Sequence, residues 1–189
     1  MDREALKSEI HQTLDRWLEA SSTLIAVHLF AAGAEMVWMA VEAAAGYFVG
    51  SQARSPSKAS ILRFARAYLP ELGRTGTAHL ALADHPDRPL ASCAELLYEC
   101  FHGGLFHDGQ REAGVRCRDD KHKWMLSLHG DGDVELNVIP FQAQLERGMK
   151  QYLRDLDRDE DLAERAEARS AFLARPVLIA PERRALGEG

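Results

Sequence analysis

Residues 22–50 read STLIAVHLFAAGAEMVWMAVEAAAGYFVG, a run dominated by alanine and larger apolar side chains. Small side chains let neighbouring helices approach closely, so this run predicts a helix at the centre of a helical bundle. Three ionisable residues, His28, Glu35 and Glu42, recur in it every seven positions. Because ionisable side chains are costly inside a bilayer, we expect a buried helix of a soluble protein and no membrane span.

The bulk composition is that of a globular domain with a real core. The chain has 189 residues, of which 46% are hydrophobic and 28% charged. Its net charge of −6 argues against a protein that binds long nucleic acid mainly by electrostatic attraction. Three cysteines and a polar N-terminus predict a reducing, cytoplasmic location and no disulfide framework.

Apolar spacing and capping residues predict the order of the helices around this run. Asp2 can cap a first helix, and residues 21–23 offer caps for the long apolar helix, which runs to about Gly50. A third helix stops at Pro70. A fourth starts at residues 87–89, where proline is well tolerated in the first turn.

After residue 109 the apolar period changes from that of a helix to that of a strand. Alternating residues 124–128 and 134–138 flank Gly130-Asp131-Gly132-Asp133, which predicts a β-hairpin, with residues 115–118 as a candidate third strand. A last long helix follows Pro140 and becomes highly charged between residues 154 and 169. The predicted class is mainly α, with four to five helices and a hairpin inserted before the last one.

The segment LYECFHGGLFHDG, residues 97–109, carries the candidate chemistry. His102 and His107 flank the Gly103-Gly104 step at the end of an amphipathic helix, and a pair of imidazoles can divide general-base and general-acid work. The alternative is a helix C-cap, with a left-handed glycine and histidines that only interact with the helix dipole. No phosphate-binding loop and no closely spaced tetrahedral ligand set is present, so we expect neither cofactor nor metal.

These features together resemble the HEPN (higher eukaryotes and prokaryotes nucleotide-binding) superfamily, in particular its bacterial HEPN-like branch. They are an apolar helix with an acidic residue, a helix ending in Phe-x-x-Gly-Leu-x-His, a hairpin and a closing helix, over roughly residues 22–156. The resemblance implies a small helical bundle, commonly dimeric, whose active members cut RNA without metal. Their motif is Arg, four to six residues, then His, and two motifs usually meet across the dimer. The resemblance also implies one HEPN-like domain over residues 1–170, with its hairpin at about 115–139, and a tail over residues 171–189.

The family's site residues map onto five positions of this chain. His107 matches the family histidine, and Gly104-Leu105 match a common Gly-Leu within the motif. Glu42 lies where many members carry an acidic residue that orients the motif. His102 occupies the arginine position, and this is a departure, because arginine is permanently charged whereas histidine is charged only part of the time near pH 7.

Two functions follow from the resemblance. In the first, His102 and His107 cut RNA as an acid–base pair in a toxin- or defence-type ribonuclease, with Arg111, Arg116 or Arg118 binding the phosphate. In the second, catalysis is lost and the protein is a dimeric binding or regulatory module.

A third possibility, which does not rest on the resemblance, is a structural interaction protein that uses its charged C-terminal helix. The expected partners are a second copy of the chain and RNA, with no membrane.

Overall fold

The structure is a computed structural model that describes residues 2–73, 81–82, 85–89, 92–102, 115–120, 124–128 and 134–175. Only the backbone is described for residues 81–82, 85–89, 102, 115, 128 and 134. The helices are α1 (Arg3–Ala26), α2 (Phe30–Val49), α3 (Lys58–Tyr68), α4 (Pro70–Gly73), α5 (Cys93–His102), α6 (Val138–Asp155) and α7 (Glu160–Leu173). The strands are β1 (Ala81–Leu82), β2 (His85–Pro89), β3 (Val115–Arg118), β4 (Leu126–Leu128) and β5 (Val134–Asn137). The predicted mainly α class with a small sheet before the last helices is confirmed.

Helix α2 lies at the centre of the bundle, as its small side chains predict. Helices α1, α3, α6 and α7 all pack on it. Its buried residues lie on several sides of the helix, among them Ala34, Val37, Ala44 and Tyr47. Across the described ranges, no helix has both the length and the apolar character that crossing a membrane requires.

The turn between α1 and α2 lies later in the chain than predicted. Residues 21–23 do not begin a helix, because α1 continues to Ala26 and buries Ser21. The Thr23 hydroxyl donates to the Glu19 carbonyl oxygen within that helix, at 2.9 Å, so it does not act as a cap. The chain turns at Val27–Leu29, where His28 has φ 62°, and α2 begins at Phe30.

The start of α5 also differs from the prediction. Residues 85–89 form β2, which pairs with β1 in antiparallel fashion, so no helix begins at Asp87. Helix α5 starts at Cys93, and the Ser92 hydroxyl accepts from the Glu95 backbone N–H at 3.2 Å. Serine therefore supplies the cap that satisfies a free N–H of the first turn. Ala94, Leu97 and Phe101, which recur at helical spacing along α5, are buried.

The predicted last helix is two helices. The chain turns at residues 156–159, where the Asp159 carboxylate accepts from the Leu162 N–H at 2.9 Å and caps α7. Helix α7 packs on α1 and α2. Its Arg165 and Arg169 donate to backbone carbonyls of residues 48–54, so this charged segment is only partly a solvated face.

The hairpin prediction is confirmed, and the third strand exists. Strands β4 and β5 are antiparallel, with Leu126 opposite Leu136. Strand β3 pairs with the other edge of β5 in parallel, with Cys117 opposite Leu136, so the order is β3-β5-β4. Leu136 is fully buried, and β3 packs on α2, which brings the sheet against the bundle.

Candidate functional site

A lysine at the start of α3 holds α5 through two of its glutamates. The Lys58 ammonium donates to Glu95 Oε1 at 2.7 Å and to Glu99 Oε1 at 2.5 Å. It also lies 5.4 Å from the centroid of the Tyr98 ring. Burial disfavours the charged ammonium, but the two carboxylates favour it more, so the pKa of Lys58 is raised above 10.5. Lys58 is therefore charged at neutral pH and joins two turns of α5 to α3.

The end of α5 rests on α2 through an aromatic stack. The Phe101 and Trp38 rings are stacked, with centroids 5.3 Å apart and planes 19° apart. Phe101 immediately precedes His102, the last residue of α5. Trp38 and Glu42 are one helical turn apart and share a face of α2. The residue before His102 thus contacts the α2 face that carries Glu42.

Glu42 lies inside the bundle and is only 6% exposed. Glutamate is rarely buried without a partner, because removing a carboxylate from water is costly. Such a position suits a residue that orients another side chain. It does not suit one that must contact a large substrate directly.

Strand β3 packs on α2 and carries two of the predicted arginines. Burial raises the pKa of the Cys100 thiol to about 12, and the nearby Cys117 of β3 adds to the shift. Arg116 and Arg118 flank Cys117 and lie on the opposite face of the strand, because successive side chains of a strand alternate. Arg118 forms an ion pair with the buried Glu135, whereas the Arg116 side chain is exposed.

The structure describes only part of the predicted site. The side chains of Glu42, Arg116 and Arg118 are described, together with the backbone of His102. His107 and Arg111 lie outside the described residues, as do Gly104-Leu105. Strand β3 packs on α2, the helix of Glu42, and Cys117 of β3 lies near Cys100 of α5. Within the described ranges, no three His, Cys, Asp or Glu side chains are grouped to hold a metal ion.

Sequence reasoning missed the role of Lys58. Glu95 and Glu99 are four residues apart on a predicted helix, and that spacing predicts two carboxylates on one face. Like charges so close together need a cation. Nothing in the linear sequence identifies Lys58 as that cation, because it is 37 residues from Glu95 and lies on another helix.

A cleft of about 630 Å³ lies elsewhere, between α1 and α6. Leu14, Leu18 and Met149 line it, and Asp15 and Glu146 are among its polar residues. None of the predicted site residues contributes to it. It is therefore separate from the α5 region.

No family model, no curated protein and no solved structure matches this chain.

Proposed function

We propose that this chain is a HEPN-like endoribonuclease that cuts RNA without metal at the carboxyl end of α5. The observation that supports this best is the Phe101–Trp38 stack at 5.3 Å. It holds the residue before His102 on the α2 face that carries the buried Glu42. An acidic residue on the second long helix, beside the end of a helix that bears the motif, is the arrangement that the family resemblance requires.

The proposed chemistry is an acid–base transesterification by His107 and His102. One imidazole removes the proton from the ribose 2′-hydroxyl, whose oxygen attacks the adjacent phosphorus. The bond from phosphorus to the 5′-oxygen breaks, and the other imidazole donates a proton to that leaving oxygen. The products are a cyclic phosphate and a 5′-hydroxyl. Glu42 acts as a positioning residue in this scheme.

The proposed phosphate-binding cation is Arg111, Arg116 or Arg118. Arg116 is paired in register with Glu135 of β5, and Arg118 forms an ion pair with the same carboxylate, which is 3% exposed. A phosphate at either of these two arginines would share the cation with that buried carboxylate. Arg116 is exposed on β3, the strand that packs on α2.

The test is cleavage of single-stranded RNA by the purified protein in the presence of a chelator. We expect His107→Ala to lower the rate by at least about 100-fold, the usual size of a general acid–base contribution. His11→Ala is the matched control, because His11 lies on α1 in the cleft region away from α5. His102→Arg should also lower the rate, because a guanidinium stays protonated and cannot replace the second imidazole of the proposed acid–base pair.

Two outcomes would contradict the proposal. One is intact RNA after long incubation with varied substrates between about pH 5 and pH 8, the range in which histidine titrates. The other is cleavage by His107→Ala at the wild-type rate.

A second candidate function is a dimeric HEPN-like binding or regulatory module without catalysis. The Arg118–Glu135 pair supports it, since this pair removes one phosphate-binding cation from the region. The non-catalytic function is also favoured because His102 occupies the position of the arginine in the family motif. Intact RNA together with a stable homodimer in light scattering would favour this function. A strict monomer would count against both.

A further inference from the structure

The cleft between α1 and α6 has no role in the proposed cleavage of RNA. Its volume of about 630 Å³ is that of a small-molecule site. Two side-chain hydrogen bonds show that the helices run in opposite directions along it. Gln142 Nε2 donates to Ser22 Oγ at 3.1 Å, and Lys7 Nζ donates to Asp157 Oδ1 at 3.0 Å. The lining part of α1, residues 11–23, is about 18 Å of helix, so the cleft is an elongated trough.

The floor of this trough is apolar and narrow. Leu14, Leu18 and Met149 line it, with Leu153 beside them. Leu14 is only 3% exposed and Met149 only 6%, although both border an open cavity. A wide groove would expose more of each side chain. A slender aliphatic chain therefore fits the floor better than a helix, whose diameter with side chains is about 10 Å.

The walls of the trough carry an excess of negative charge. Among its lining residues, the three carboxylates of Asp15, Glu19 and Glu146 stand against one lysine, Lys150. Asp15 and Glu19 are one helical turn apart on α1, whereas Glu146 belongs to α6 on the other wall. Negative charge is thus distributed along the trough and across it.

Two of these carboxylates are hydrogen-bonded to side chains that are not permanent cations. Asp15 Oδ2 lies 2.5 Å from His11 Nδ1, and Glu146 Oε1 accepts from Gln142 Nε2 at 3.2 Å. An amide carries no charge, and an imidazole is charged only part of the time near pH 7. These contacts orient the carboxylates without cancelling their charge. An occupant with several cationic groups along an apolar chain would complement both the floor and the walls.

We propose that the cleft between α1 and α6 binds a linear aliphatic polyamine. Its methylene groups pack on Leu14, Leu18 and Met149, and its ammonium groups pair with the three wall carboxylates. Several ammonium groups are needed, because one compact cation cannot reach carboxylates on both walls and a turn apart. The wall charge also disfavours an anionic chain such as a fatty acid. This inference does not rest on the proposed ribonuclease function, since the cleft is separate from α5.

The test uses spermidine as the probe and the full chain labelled with ¹³C at its methionine methyl groups. At about pH 8 alkyl ammonium groups stay charged while imidazole is neutral. The Met149 resonance should shift with spermidine and reach saturation. Met36 and Met125 do not line the cleft, so their resonances should stay in place. Hexanoate, an anionic chain, and Mg²⁺, a compact dication, should not reproduce the Met149 shift.

Variants of the wall carboxylates test the charge pairing. The double variant Asp15→Asn, Glu146→Gln keeps the size of both side chains and removes two charges. Isothermal titration calorimetry should show that it raises the Kd for spermidine about tenfold, as expected for two partly exposed ion pairs. Glu164→Gln is the matched control, because Glu164 is exposed on α7 and does not line the cleft. It should leave Kd unchanged.

Four results would overturn the inference. The first is a Met149 resonance that does not move with spermidine, and the second is an equal shift with Mg²⁺. The third is an equal loss of affinity in Glu164→Gln and in the double variant, which would reduce binding to general attraction of cations. The fourth is a Met149 resonance that changes with protein concentration alone, because a second copy of the chain would then occupy the cleft.

Discussion

Helices α7 and α5 are both attached to the bundle by charged side chains, but the acceptors differ. In α7 the Arg169 guanidinium donates to backbone carbonyl oxygens, at 2.8 Å to Ser51 and 3.1 Å to Arg54, and also to Ala53. In α5 the contact is between side chains, from Lys58 to Glu95 and Glu99. Backbone acceptors do not titrate, whereas a lysine–carboxylate cluster weakens when either partner changes its charge. The comparison indicates that the carbonyl acceptors of Arg169 are insensitive to pH, whereas the carboxylate acceptors of Lys58 are not.

The α7 attachment depends on a close approach to α2. A Cβ atom at Gly46 would lie 3.0 Å from Arg169 Nε, so glycine leaves room for the guanidinium. Gly50 ends α2 in the left-handed conformation, at φ 66°. Arg165 Nε donates to the Phe48 carbonyl oxygen at 3.0 Å. Arg165 and Arg169 thus donate to carbonyl oxygens at and beyond the end of α2. The last carbonyls of a helix have no hydrogen-bond donor within the helix.

The strongest way to break the α7 attachment is Arg169→Met. Arg169 is 4% exposed, and its loss leaves the three carbonyl oxygens without its donors. We expect the free energy of unfolding to fall by about 3 kcal/mol. Urea denaturation followed by circular dichroism measures this.

Arg158→Met is the control for that prediction, because Arg158 is exposed in the turn between α6 and α7. It should change stability by less than about 0.5 kcal/mol. Equal losses in the two variants would show that the backbone contacts of Arg169 contribute little.

A second variant tests the contact between α6 and α3, the helix that in turn holds α5. A Cβ atom at Gly148 would lie 2.5 Å from the Tyr68 carbonyl oxygen and 2.9 Å from Leu69 Cδ2. Alanine is normally favoured over glycine in a helix, yet Gly148→Ala should destabilise by about 2 kcal/mol through overpacking against backbone. Thermal unfolding monitored by circular dichroism measures the loss.

Gly33→Ala is the matched comparison for Gly148→Ala. There the nearest atom is Ile25 Cγ1 at 3.0 Å, which belongs to a side chain. A side chain can move by a few tenths of an ångström, so we expect a smaller change than at Gly148. A neutral Gly148→Ala would mean that α3 and α6 separate readily, and the scaffold would then be less rigid than the α7 contacts indicate.

The smallest expected effect is at Lys58, and it tests the pH dependence of the α5 attachment. Lys58→Met should lower the free energy of unfolding by about 1 kcal/mol, since these ion pairs are partly exposed. The pKa of Lys58 is raised above 10.5, so its stabilisation is complete below that pH and is lost as the pH rises through the folded-state pKa. The difference between wild type and variant should therefore shrink at strongly alkaline pH, and also in high salt.

Urea denaturation at neutral and alkaline pH, with Lys58→Arg as the conservative variant, measures this dependence. Hydrogen exchange should show faster opening of α5 than of α7 in Lys58→Met. A uniform increase in exchange across both helices would contradict a local role for Lys58.

Much of the architecture was predictable, because it follows from local patterns. Alternation around Gly130-Asp131-Gly132-Asp133 predicted the pairing of β4 with β5, and apolar spacing predicted a third helix that stops at Pro70, close to the observed end of α3. The break between α6 and α7 was missed, although Asp159 three residues before Leu162 is a capping signal. The charged residues keep a helical pattern across residues 154–169, so the capping role of Asp159 was not recognised.

For the candidate site, the sequence indicated Glu42, His102 and His107 by family resemblance. The structure adds that α5 ends on the α2 face of Glu42 through Phe101 and Trp38. It also adds that the charge of Arg118 is paired with that of Glu135. Neither contact could be predicted, because each joins two residues that are distant in the chain. Such residues meet only when the helices and strands that carry them pack together.

By itself the sequence determined the mainly α class, the central position of α2 and the hairpin, since side-chain size, apolar period and turn residues act over a few neighbouring positions. Only the tertiary structure decided which charges meet. Arg169 reaches carbonyls more than 100 residues away, and Lys58 reaches a helix that begins 35 residues later. Such pairs depend on how whole helices pack, and helix packing is set by the shape of buried surfaces and not by any local pattern of charge.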